Sequence, residues 1–293
     1  MPNQSEQRKK AKDTMVPAFY GDATELLVKN SVHRTINAGL WDCETKSEEE
    51  AIVRSIHKLV SGCSLGPGKS VLDLGCGLGG PAVILAREFG VHVTAVSNCE
   101  PHVELAEQFA QEQGVGDLVE FHCCDFMDLP FPDDRYDLAV NHGSFSHVYD
   151  TLAYLKGVHR VLKSGGRWQV LDCFLGDKPL TTPSHEQMHE TIQQAMRIAP
   201  LISLDQMFDA LKQAGYHTIS NEKLDHEVLI SIEKLAVQWR TFLFLTPPLT
   251  EPKQTAFRDC IEGAIEFGRG LHHGIFTYQW VSGTKPKLDN VSQ

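Results

Sequence analysis

From Ser70 onward, short apolar runs alternate with amphipathic stretches. The runs SVLDLG (70–75), VHVTAVS (91–97), LVEFHC (118–123), YDLAVN (136–141) and RWQVLDCFL (167–175) read as strands buried on both faces. Between them, PAVILAREF, PHVELAEQFAQEQ and TLAYLKGVHRVLK carry apolar residues at helical spacing. The last of these is expected to stop at a Ser164-Gly165-Gly166 turn. Strand, helix, strand, helix predicts parallel strands joined by right-handed crossovers, an α/β doubly wound sheet.

The rhythm changes in the carboxyl-terminal third. SLDQMFDALKQAGY reads as a helix with a glycine stop, HTISNEKLDH as a strand, HHGIFTYQWVSGTK as a late aromatic strand, and residues 228–245 and 253–270 as two helices between them. A strand pair added after five parallel strands brings in an antiparallel member, so the expected sheet is seven-stranded and mostly parallel. Residues 177–202 hold Pro183 and Pro200 around a polar, His-rich helix just past a strand end, where α/β proteins place lids. Residues 1–47 read as an amino-terminal helical cap and 48–293 as the main domain with its lid insertion. No internal repeat is visible.

Composition narrows the function classes. The 293 residues are 42% hydrophobic and 22% charged, an ordinary globular balance. With 27 Lys+Arg against 38 Asp+Glu the net charge is −11, which disfavours a nucleic-acid binder that must replace condensed counterions. A small-molecule partner fits better. The eight cysteines are dispersed with no CxxC pair, the amino terminus lacks the apolar core of a secretory signal, and no later run is long enough to cross a bilayer. These features suggest reduced thiols and a cytoplasmic protein without a membrane partner. An amino-terminal helix followed by the Gly21-Asp22 step could exchange between subunits of a homo-oligomer.

The chemistry concentrates in VLDLGCGLGG (71–80), a strand running into a glycine loop and then a helix. Its glycines let backbone approach a ligand, and the helix start points amide donors at it. The spacing Gly75-x-Gly77-x-x-Gly80 matches the dinucleotide fingerprint, but Asp73 stands two positions earlier and the loop also reads Gly75-x-Gly77-x-Gly79. With LPF after an aspartate-ended third strand and LK-x-G-G before the fifth, the chain resembles the class I S-adenosylmethionine-dependent methyltransferases, with their Rossmann-like fold, over roughly residues 15 to 283. Within that class it looks closest to small-molecule enzymes acting on tocopherols, sterols, isoprenoid diphosphates and sugars. Asn37-Ala38-Gly39-Leu40-Trp41 is similar to their aromatic cap element, with Asn37 where histidine is common.

The resemblance implies S-adenosylmethionine as cofactor. Asp73, Gly75, Gly77 and Gly79 would hold its amino-acid end, Ser97 and Asn98 the ribose side, and Asp125 and Phe126 the adenine. Ser97 replaces the acid that many members place at that strand end. Asp125 also reads as the cap of the turn before Met127. Asn141 would face the methyl group, and Tyr20 would close over the cofactor. In Asn141-His142-Gly143-Ser144-Phe145-Ser146-His147, Gly143 stands where the subgroup often has a glutamate. That leaves His147 as the first candidate base and His142 as the second.

Trp41, Phe145, Tyr149, Phe208 and Trp239 are candidates for an apolar acceptor pocket, and equally for core. His185-Glu186-Gln187-Met188-His189 spells H-E-x-x-H, yet without a third ligand it suggests substrate-facing histidines rather than a zinc site. Should the acceptor carry a phosphate, His185, His189, Arg34 and Arg197 are the candidate contacts, directly or through magnesium. The expected activity is methylation of a small, largely apolar natural product. Carbon methylation of an isoprenoid-type secondary metabolite is favoured over oxygen or nitrogen methylation. A nicotinamide dehydrogenase would want an acid at position 97, and a non-catalytic cofactor-binding protein would fit the missing glutamate at Gly143.

Overall fold

Residues of successive strands part cleanly to two faces, as the period-two geometry of a strand requires. Val71, Val93, Leu138 and Val140 enter one core cluster, and Leu72, Val96, Ala139 and Val170 the other. The computed structural model describes residues 4–178, 180, 182–245 and 253–287. Its seven-stranded sheet has the order β3-β2-β1-β4-β5-β7-β6. The strands are β1 (Ser70–Leu74), β2 (His92–Ser97), β3 (Val119–Cys123), β4 (Tyr136–His142), β5 (Leu162–Leu175), β6 (His217–Lys223) and β7 (Phe276–Thr284). The first five run parallel, and β7 is antiparallel to both β5 and β6. The fold is therefore the doubly wound, mostly parallel α/β sheet that the apolar rhythm implied.

Two boundaries differ from expectation. The turn expected at Ser164-Gly165-Gly166 is already part of β5, which begins at Leu162 and bulges against β4 between its pairings with Tyr136 and Leu138. Gly165, at φ +78°, absorbs the irregularity. The HTISNEKLDH strand stops at Lys223, because Asp225 opens a helix and its carboxylate accepts from the Tyr278 N–H at 2.7 Å.

Helices α2 (Glu48–Leu59), α3 (Gly80–Phe89), α4 (Glu100–Glu112), α5 (Thr151–Val161) and α7 (Leu204–Gln213) cover the sheet. Local chemistry sets their ends. Ser47 caps α2, whose first turn carries Glu48, Glu49 and Glu50. Asp150 caps α5, and Ser203 with Gln206 forms a capping box on α7. Helix α1 (Gln4–Asn30) packs with α9 (Lys253–His273) through Phe19, Leu27, Phe257 and Ile261. Helix α6 (Pro183–Met196) lies in the expected lid segment and packs on α9, which also meets α8 (Asp225–Leu245). No described helix is long and apolar enough to cross a membrane.

The chain leaves β1 toward β2 on one side and returns to β4 on the other. That reversal makes the carboxyl ends of β1 and β4 the switch point where open α/β sheets bind ligands.

Candidate active site

At that switch point opens a pocket lined by the glycine loop, the ends of β2 and β4, and the amino-terminal residues Tyr20 and Arg34 to Asn37. The loop is pinned by the amides of Gly75 and Cys76, which both donate to the Val96 carbonyl at 2.9 Å. Gly75 has φ +85°, and a Cβ there would lie 2.5 Å from that of Ser144. Only glycine lets the loop pass beneath Ser144 in this conformation. Gly75 and Gly77 line the pocket, whereas Gly79 does not: it faces α4, where a Cβ would meet Ala106 at 2.7 Å. Gly80 is crossed by the cap, with the His33 carbonyl 2.3 Å from where its Cβ would sit.

Asp73 is 1% exposed and both of its carboxylate oxygens lack a partner among the described residues. Burial lifts its pKa from 3.8 to about 7. Asp73 is not itself in the pocket wall, but it stands two residues before Gly75, which is, and an unpaired buried carboxylate there fits a cofactor bearing an ammonium group. Ser97, Asn98, Asp125 and Phe126 line the same pocket. Ser97 Oγ accepts the Cys99 N–H at 3.2 Å, and Asp125 Oδ1 accepts the Met127 N–H at 2.8 Å, so both also serve as turn acceptors.

Asn141 is not in the pocket wall. Its amide donates to the Leu74 carbonyl at 3.0 Å and to Ser144 Oγ at 2.9 Å, while its Oδ1 accepts from Trp168 Nε1 at 2.9 Å and from the Tyr154 hydroxyl. It ties β4 to β1 under the loop, a positioning role rather than the contact expected of it.

His142 lines the pocket with neither ring nitrogen partnered among the described residues. Burial lowers its pKa to about 4. His147 lies at the end of the short 3-10 turn Phe145–His147. Its Nδ1 sits 3.3 Å from the Arg197 carbonyl, which assigns the proton to Nδ1 and leaves Nε2 to accept from the Tyr20 hydroxyl at 3.1 Å. The two departures from the family pattern meet here. Asn37 donates to the His142 carbonyl at 2.6 Å, and its Oδ1 lies 2.1 Å from where a Cβ on Gly143 would stand. The carboxamide of Asn37 thus occupies the space a glutamate at 143 would need.

A second chamber adjoins the first and shares Tyr20, Ile36, Asn37, Gly143 and His147 with it. Its walls come from α1, α6, α8, α9, β5 and β7, and its aromatic residues are Phe19, Tyr20, Phe267 and Tyr278. These are not the aromatics the sequence suggested. Phe145 stacks on Phe174 in the core under the opposite sheet face, and Phe208 packs against that same core. Trp41 donates to Glu48 at 3.2 Å with Lys234 over its ring. Tyr149 lines the first pocket at its rim, 41% exposed. Trp239 lies on α8, and its side chain falls outside the described residues.

His185 and His189 line neither cavity. His189 Nε2 accepts the Leu201 N–H at 3.2 Å, a strut inside the lid. Among the described residues no three His, Cys, Asp or Glu are grouped to hold a metal. Arg197 pairs with Asp259 at 2.9 Å and covers Phe19, while Arg34 borders the first pocket. The four candidate phosphate contacts are therefore not gathered at one place. His102, Ser144, Asp172 and Cys173 are cavity residues that sequence reasoning missed. They sit on strand ends and helix starts with no local motif to mark them.

A doubly wound sheet with a glycine loop at its switch point, an unpaired acid beside it and an adjoining apolar chamber defines a cofactor-dependent enzyme of small molecules. Residues 72–169 match the family model of the methyltransferase domain. The chain is 30% identical over 217 residues to 27-O-demethylrifamycin SV methyltransferase of Amycolatopsis mediterranei, covering 74% of this chain and 78% of that protein. It is 31% identical over 199 residues to a sterol 24-C-methyltransferase of Gibberella zeae, over 66% of this chain and 50% of that protein, so it spans about half the length of that relative. A solved geranyl diphosphate methyltransferase in complex with GPP and sinefungin shares the fold at TM-score 0.74 and 18% identity, covering 94% of this chain and 99% of that one. The chain belongs to the class I S-adenosylmethionine-dependent methyltransferases of small molecules, and S-adenosylmethionine is its cofactor.

Proposed function

We propose that this enzyme methylates a carbon atom of a small, largely apolar, isoprenoid-type natural product, with His147 taking up the proton released. The observation that carries the reading is the second chamber, apolar and aromatic, which meets the cofactor pocket at Tyr20 and His147. S-adenosylmethionine supplies an electrophilic methyl on its sulfonium. Residues 1–47 act as a cap that excludes water and aligns the acceptor with that methyl. The ring faces of Phe19, Tyr20, Phe267 and Tyr278 suit a positive charge developing on an alkene carbon. Loss of a proton to His147 Nε2, as the Tyr20 hydroxyl that donates to it gives way, completes the transfer, and Nδ1–H on the Arg197 carbonyl orients the ring for it. The sterol C-methyltransferase among the relatives supports carbon as the site.

A second reading, methylation of an acceptor hydroxyl, has the same histidine as base and draws support from the relative named as an O-methyl-forming enzyme. Turnover with methyl-labelled S-adenosylmethionine and a panel of terpenoid acceptors, read by mass and carbon NMR, separates the two. Label on carbon is expected, and label on oxygen selects the second reading. His147→Gln should lower turnover roughly a hundredfold with S-adenosylhomocysteine affinity kept. Unchanged turnover would remove the base role. A titration preferring NADH to S-adenosylhomocysteine would overturn the whole assignment.

A further inference from the structure

Asp172 is the one Asp, Glu, Lys or Arg side chain among the described residues lining the second chamber. It stands at the carboxyl end of β5, is 2% exposed, and is surrounded by such walls as Met196, Ile232, Phe267 and Tyr278. Oδ2 accepts the Ser146 N–H at 3.0 Å and Oδ1 the Cys173 N–H at 2.7 Å. Burial raises its pKa and these amides hold it down. A carboxylate offers about four acceptor positions; beside the two amides, the Phe145 N–H and the Cys173 thiol also bear on it, and of these the thiol is a weak donor that a ligand hydroxyl can displace. Away from Asn37 and His147, which stand at the junction with the first pocket, the walls are mostly apolar, and there Asp172 is the strongest polar handle.

We infer that Asp172 selects the acceptor, accepting a hydrogen bond from a hydroxyl on an uncharged apolar molecule and excluding molecules that carry a phosphate or diphosphate. The inference rests on the second chamber being the acceptor site. A hydroxyl sheds its hydration cheaply and gains a charge-assisted bond. A phosphate would be buried facing a carboxylate with no lysine or arginine among the described lining residues to offset either charge. An ammonium would lose its hydration to face an anion whose charge the surrounding donors already partly satisfy.

The test is calorimetric titration of the S-adenosylhomocysteine-saturated enzyme with farnesol, farnesyl methyl ether, farnesylamine and farnesyl diphosphate. Farnesol should bind roughly tenfold or more tightly than its ether, and the diphosphate should not bind. In Asp172→Asn the gap between alcohol and ether should close while S-adenosylhomocysteine affinity holds. Equal binding of alcohol and ether, tighter binding of amine or diphosphate, or a gap that survives Asp172→Asn would each overturn the inference. Failure of all four ligands to bind would instead overturn the acceptor-chamber reading on which it rests. Should Asp172→Asn not fold, Asp172→Ser takes its place, and the ligand order on the unaltered enzyme is decisive by itself.

Discussion

Replacing Asp73 by Asn should flatten the pH dependence of stability in the ligand-free enzyme. The carboxyl is buried without a partner and titrates at about 7 in the folded state against 3.8 as its ordinary value. Between those values the folded protein holds the proton more tightly than the unfolded chain, so stability declines as pH rises from about 4 to about 7 and is level above. Integrating that difference between about pH 5 and about pH 8 gives a loss of about 2.5 kcal/mol, which Asp73→Asn would not suffer. His102 and His142 are pushed the other way, to about 4, by burial. Their contributions fall away as pH drops, but they are present in both proteins and subtract out. Urea unfolding of both proteins at the two pH values measures the difference directly. S-adenosylhomocysteine at saturation should shrink it, because its ammonium would give the carboxylate a partner. A pH dependence identical in the two proteins would refute the claim that Asp73 is an unpaired, burial-strained acid.

Two further outcomes follow from the same geometry. Gly143→Ala places a Cβ against Asn37 Oδ1 at φ +65°, so it should destabilise by about 2–4 kcal/mol. Asn37→Ala in the same chain should recover the steric part and leave about 1 kcal/mol of backbone strain, which thermal unfolding of the two single variants and the double variant would show. Histidine NMR should find the His102 and His142 rings neutral down to about pH 4, and midpoints near the ordinary value of 6.5 would show that neither is desolvated.

Much of the fold was legible because its signals are local. The five buried apolar runs and the glycine loop are each defined by residues a few positions apart, and the structure keeps them as strands and a pinned loop. The same locality explains the missed boundary at Ser164–Gly166: a glycine pair reads as a stop, but pairing of β5 with β4 and β7 draws the segment into the sheet. Gly75, Ser97, Asp125, His142 and His147, named through the family resemblance, line one pocket because the topology brings those strand ends together.

What only the tertiary structure decided is which side chains from distant segments share a cavity. Which way an aromatic faces depends on how its helix, turn or strand packs against distant segments, so Phe145 and Phe208 went to the core while Phe19, Phe267 and Tyr278 became the aromatic wall. Asn141 satisfied its amide against Leu74, Ser144 and Trp168 rather than a ligand. Asn37 filled the space opposite Gly143, a pairing across more than a hundred residues that no local pattern encodes. Sequence by itself determined the order of elements, the glycine loop and the family; packing across the sheet face and beneath the amino-terminal segment determined the second chamber, because burial and steric fit depend on contacts between segments far apart in the chain.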